Sequence, residues 1–169
     1  MKKIISMVLG LMLFSSMTVT AMAGSFQVTT DKDKVCAGDN VTVTIKLDKA
    51  LEGNYRNIQG QLNYDPDLLS YVSHEMSKDP VSYAAKNMTE REYFTFSYTD
   101  FSGTGFAGIP KGTIGKVVFK AAKDVTFDQV KTALTLTMSV QDLQGNIEKT
   151  EAETELVICK NHTPGAAAT

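Results

Sequence analysis

The chain has no tryptophan, only two histidines and only two cysteines among its 169 residues. Each shortage excludes something. Flat sugar-binding faces normally rely on large aromatic platforms, and without tryptophan the ring candidates reduce to Tyr83, Tyr93 and Tyr98. His74 sits at a strand end and His162 in the C-terminal tail, so no histidine pair is available to hold a metal or to act as a positioned base. Gly-x-Ser-x-Gly, His-Glu-x-x-His and phosphate-loop motifs are all missing. A sustained 3.6-residue apolar period is also missing beyond the N-terminal segment. Val125–Val130 is long enough for one helical turn and no more.

Carboxylates are plentiful, but their pattern does not suit catalysis. Glycoside hydrolysis needs two acids converging in a cleft. Glu148 stands near Glu151, Glu153 and Glu155, and the last three share one face of a strand, where they read as a solvated edge that discourages aggregation. Asp31-x-Asp33 and Asp65-x-Asp67 suggest a hard cation, yet neither continues into a full calcium loop. Pro66 makes the second pair a turn. The expectation is therefore a non-enzyme with no metal and no cofactor of its own.

What is present begins with an address. Lys2 and Lys3 precede an apolar stretch from Ile4 to about Thr20, and Ala21-Met22-Ala23 offers a small-residue cleavage site. Residues 1–23 read as a secretory signal peptide, because Ser15, Ser16, Thr18 and Thr20 make the stretch a poor membrane span. Cleavage leaves 146 residues, with 15 basic against 19 acidic side chains and a formal charge of −4. That balance argues against nucleic acid and against an anionic membrane surface. One domain is expected over 24–160, followed by a Pro-Gly-Ala-Thr tail or linker start at 161–169. The expected location is secreted and extracellular, with no membrane association after signal removal.

Cys36 and Cys159 lie near the two ends of the mature chain. In an oxidising compartment they suit a bridge between the first and last strands. Two buried thiols are the alternative.

Between them the chain alternates with period two. Phe26–Thr30, Val41–Leu47, Leu68–His74, Val81–Met88, Tyr93–Thr99, Gly112–Ala121, a run around Leu134–Val140 and a last pair ending at Cys159 all read as strands. Gly38-Asp39-Asn40 and Gln144-Gly145-Asn146 supply turns. Many short strands with one polar face indicate an all-β antiparallel sandwich with a shared core. The most informative strand is Asn57–Asp65. Ile58, Gly60, Leu62 and Tyr64 fall on one side, and Asn57, Gln59, Gln61 and Asn63 form a row of carboxamides on the other.

These residues carry a resemblance. Ile58–Leu69 with its Tyr64-Asp65-Pro66, Phe94–Ile109 with Asp100 and Ser102-Gly103-Thr104-Gly105, and Gly112–Lys120, in that order and spacing, resemble a cohesin domain. The likeness is nearest to type I, covers about residues 25–160, and takes in the Gly38-Asp39 turn. It implies a nine-stranded sandwich of jelly-roll topology. It also implies a receptor for dockerin modules on polysaccharide-degrading enzymes or scaffold proteins, assembling cellulosome-type complexes, with calcium carried by the dockerin. The resemblance places partner contacts on the third, fifth, sixth and eighth strands. Asn57 and Gln59 fall on the third, with Gln61 beside them, and Gln59 stands where type I members often have aspartate. Asn87 matches a fifth-strand contact, Asp100 the sixth-strand acid with Phe101 as a one-residue insertion, and outward Lys116 and Val118 the eighth strand. A carbohydrate-binding module of the same superfold, taking plant polysaccharide, and a structural adhesin domain are the other readings. The missing tryptophan favours the dockerin receptor over the sugar binder.

Overall fold

A strand that alternates apolar and polar residues is stable only when its apolar face meets another. In the computed structural model, which describes residues 26–77, 82–83, 93–123 and 125–160, those faces meet as two stacked sheets. The strands are β1 (Phe26–Thr30), β2 (Lys34–Cys36), β3 (Asn40–Leu47), β4 (Leu51–Asn63), β5 (Leu69–Met76), β6 (Ser82–Tyr83), β7 (Tyr93–Thr99), β8 (Phe106–Ile109), β9 (Gly112–Ala121), β10 (Gln129–Asp142) and β11 (Ile147–Cys159). One sheet has the order β1-β3-β9-β5, and the other β2-β11-β10-β4-β7-β6 with β8 paired to the first part of β4. The fold is a β-sandwich of the jelly-roll kind.

Several expectations need correction. Eleven strands are present among the described residues instead of nine, with β2 and β8, three and four residues long, too short to show a period. The β2–β11 pair is parallel, whereas every other pairing is antiparallel. β4 starts at Leu51, six residues before the expected strand, since Leu51–Tyr55 pairs with β8 across an irregular register. Val125–Val130 makes no helical turn: Val125 is buried and the chain enters β10 at Gln129. Of Val81–Met88 only Ser82–Tyr83 is described, and it is a strand. The expected signal peptide and tail lie outside the described residues.

The core lies between the sheets. Val41, Val43 and Ile45 of β3 and Val117 and Phe119 of β9 face Ile58 and Leu62 of β4, Phe94, Phe96 and Tyr98 of β7, and Leu134, Leu136 and Met138 of β10. All are essentially inaccessible. Each such side chain contributes about 1.5–3 kcal/mol when buried. Tyr98 keeps its hydroxyl partnered inside, donating to the Ile114 carbonyl at 3.3 Å, and burial pushes its pKa up to about 12.

Gly60 explains why the central strand carries a glycine on its apolar side. Its cross-strand neighbours are Phe96 on β7 and Met138 on β10. A Cβ at Gly60 would overlap the Phe96 ring and the Met138 sulfur. Two large side chains therefore close over the glycine from both sides, filling the centre of the core. At the far end of the sheet Cys36 and Cys159 form a disulfide between β2 and β11, 123 residues apart in sequence.

Candidate partner-binding face

The opposite side of β4 is the place to look for function, because it stands in the middle of the larger sheet. Its outward residues have partners on both sides. Asn57, Gln59, Gln61 and Asn63 lie opposite Thr99, Ser97, Thr95 and Tyr93 of β7. They also lie opposite Gln141, Ser139, Thr137 and Thr135 of β10. Four rows across three strands thus present only carboxamides and hydroxyls. No charge falls within the grid, and every position is half-buried or exposed.

Local hydrogen bonds fix part of it. Gln61 Nε2 donates to Asn63 Oδ1 at 2.8 Å, and Thr99 Oγ1 donates to Asn57 Oδ1 at 2.9 Å. Gln59 is exposed and makes no side-chain hydrogen bond among the described residues, so its amide is available at the centre. β11 adds a charged margin of Glu151, Glu153 and Glu155 beside Lys149. The Lys131–Glu155 ion pair in that margin, at 2.7 Å, joins two exposed side chains. Pairs of that kind contribute little to stability.

The arrangement suits recognition of a polar surface. Inter-strand spacing of about 4.8 Å and an along-strand repeat of about 7 Å give a flat lattice of donors and acceptors. The lattice is held by a packed core, so little conformational entropy is lost when a partner docks. Neutral groups also surrender water more easily than charges. Among the described residues no three metal-ligating side chains converge. Asp65 accepts from the Asp67 amide at 2.9 Å, which is turn chemistry.

The structure sorts the sequence-derived site residues. Asn57, Gln59 and Gln61 share the grid. Asp100 lies just past its end, but its carboxylate is turned onto its own loop. It accepts from Ser102 N at 2.9 Å, Ser102 Oγ at 2.6 Å and Gly105 N at 2.6 Å. Hydrogen bonds to Ser102 and Gly105 hold its pKa down to about 2. Lys116 and Val118 are outward, as expected, but on the other sheet from Asn57 and Gln59. β9 pairs with β3 and β5 in the smaller sheet, so these two side chains stand on the outer face of that sheet with Lys46 and Lys120. The strand that continues the grid is β10. Asn87 lies outside the described residues.

Sequence reasoning missed the contribution of β7 and β10. Their polar alternation was visible, but only the pairing register shows that it lines up with Asn57–Asn63. Of the ring candidates, the side chain of Tyr83 lies outside the described residues. Tyr98 is buried in the core and Tyr93 is half-buried at the grid's corner.

Comparison with known proteins agrees with this architecture. The Cohesin domain family model matches residues 26–157. Among solved structures, the sixth cohesin of scaffoldin B from Acetivibrio cellulolyticus, in complex with a mutant Cel5 dockerin, is similar with a TM-score of 0.58 at 14% identity, covering 81% of this chain and 99% of that one. A cohesin module from a Clostridium perfringens family 33 glycoside hydrolase has a TM-score of 0.57 at 14% identity, covering 81% and 97%. A non-cellulosomal cohesin from the archaeon Archaeoglobus fulgidus has a TM-score of 0.56 at 18% identity, covering 79% and 91%. No curated protein matches the chain in sequence.

Proposed function

The chain belongs to the cohesin domain family, and from that premise we propose that it is a secreted, non-catalytic receptor whose neutral face binds dockerin modules of polysaccharide-degrading enzymes. The observation that carries this reading is the unbroken grid of carboxamides and hydroxyls on β10, β4 and β7. It is a rigid, polar, uncharged surface of the kind that accepts a folded helix in preference to a flexible chain. Residues 1–23 direct export, and calcium enters only with the dockerin. The module tethers its partner to a larger polysaccharide-degrading assembly and does no chemistry itself.

A pull-down with immobilised dockerin modules, run with calcium and with a chelator, tests the reading. Retention in calcium and release by chelation is the expected result. No retention of the folded protein on any dockerin would overturn it. Replacing Asn57 and Gln59 together with alanine is expected to weaken binding about tenfold or more, since each removes charge-free hydrogen bonds at the centre of the face. The melting temperature should stay within about 2 °C, because surface changes of this kind alter stability by only about 0.5 kcal/mol.

A further inference from the structure

The large exposed hydrophobic side chains among the described residues are Val72, Phe101, Phe127 and Ile147. Two have local explanations. Val72 is the extra residue at the irregularity where β5 pairs with β9, and Phe127 precedes β10 at the end remote from the grid. The other two share a location. Ile147 lies opposite Gln141, Gln141 opposite Asn57, and Asn57 opposite Thr99, so one row crosses four strands. Phe101 follows Thr99 by two residues. The end row of the neutral grid is thus bounded by Ile147 on one flank and by the Phe101 loop on the other.

Neither residue is a stray on a floppy segment. Phe101 is 87% exposed, yet its loop is tied down by the Asp100 carboxylate, which accepts from the backbone at both Ser102 and Gly105. Ser102 Oγ also bonds Thr104 Oγ1 at 2.7 Å. Gly105 sits so close to Leu143 and to the Tyr55 carbonyl that a Cβ there would meet Leu143 Cδ2 at 2.7 Å. The loop is therefore seated against the β10–β11 turn that leads into Ile147. That turn is itself fixed by Asp142, which accepts from the Asn146 backbone and side chain at 2.8 and 2.7 Å. Both turns are ordered, they meet only where Gly105 packs on Leu143, and each presents an exposed apolar side chain near the end of the polar grid.

We infer that Phe101 and Ile147 are the apolar anchors of this face, taking the two flanks of a single partner helix seated on the row Gln141–Asn57–Thr99. Three inter-strand spacings separate Ile147 on β11 from Thr99 on β7, about 14 Å, and an α-helix with its side chains is about 10–12 Å across. One helix fills that span and reaches both ends; two do not fit. The grid supplies orientation through hydrogen bonds, and the anchors supply the buried apolar area that a polar lattice lacks. The partner helix must then carry small polar residues toward the grid and an apolar residue on each flank of one turn. This inference rests on the dockerin-receptor reading and adds the residues that decide which dockerin is accepted.

The test uses the full chain and a panel of calcium-loaded dockerin modules, measuring affinity by calorimetry and melting temperature in parallel. Phe101→Ala and Ile147→Ala are each expected to weaken binding about tenfold with an unchanged melting temperature, while Phe101→Trp and Ile147→Leu retain it. If wild type binds no dockerin, the receptor reading fails and this inference with it. If a dockerin binds and is lost in the Asn57/Gln59 double variant, but the two anchor variants stay within twofold of wild type, this inference alone is overturned. A marked fall in melting temperature for either alanine variant also overturns it, since the residue would then belong to the fold.

Discussion

At the scale of single residues, what decides a role is what the side chain already bonds. Asp100 and Gln59 illustrate the two outcomes. Both read from sequence as contact residues. Gln59 has its amide free at the centre of the grid, whereas the Asp100 carboxylate is occupied by the amides and hydroxyl of its own loop. The Asp100 carboxylate therefore orders its own loop at the edge of the grid, a role that residue type and position alone did not reveal. Its chemistry makes a pH prediction. A carboxylate whose folded pKa is depressed to about 2, from the usual 3.8, favours the ordered loop at every pH above 3.8 and loses that effect as pH falls toward 2. The carboxyl carbon of Asp100, followed by NMR, should titrate with a midpoint near 2, and the amides of Ser102 and Gly105 should lose protection over the same window. A midpoint near 3.8 would show the hydrogen bonds to be absent in solution. Asp100→Ala should loosen the loop at neutral pH and leave the core untouched.

Elements were legible from sequence to the extent that alternation extends over them. β1, β7 and β9 have the expected bounds, because five or more residues of strict period two leave little freedom. β2 and β8 were invisible, since three or four residues show no period. The larger failure concerns β9. Alternation states which side of a strand faces the core, but never which sheet the strand joins, and so Lys116 and Val118 were grouped with Asn57 and Gln59 when pairing puts them on the other sheet. β4 shows how much a single strand specifies. Adjacent residues there should respond to substitution in opposite ways. Gly60→Ala forces a methyl group into the Phe96 ring and the Met138 sulfur. Neither neighbour can swing to solvent, both being buried. Overpacking of this kind costs about 1–3 kcal/mol, and the urea midpoint should fall accordingly. Gln59→Ala, one residue earlier, should leave that midpoint unchanged. Equal effects at the two positions would mean that the register of β4 is shifted by one residue.

Across the whole molecule, the disulfide and the end of the neutral grid flanked by Ile147 lie at opposite ends of the larger sheet. β11 runs from Ile147, level with the Asn57 row, to Cys159, level with Gln129 at the start of β10. The disulfide is thus twelve residues along the strand from the anchor end, a distance of about 40 Å at 3.4 Å per residue. It closes nearly the whole described chain, 123 residues in sequence. In the chain-entropy picture a loop of that length stabilises the fold by about 5 kcal/mol, chiefly by restricting the unfolded state. The contacts of the neutral face are made by β4, β7 and β10, none of which contains either cysteine. Replacing Cys36 and Cys159 together with serine should therefore lower the melting temperature by roughly 15 °C, at about 3 °C per kcal/mol for a domain of this size. Dockerin affinity at 25 °C should remain within about twofold, provided the variant is still folded by far-UV circular dichroism. A loss of affinity in a folded variant would show that the β2–β11 corner governs the geometry of the grid. An unchanged melting temperature would show that the bridge adds nothing to a core already sufficient to hold the sandwich closed.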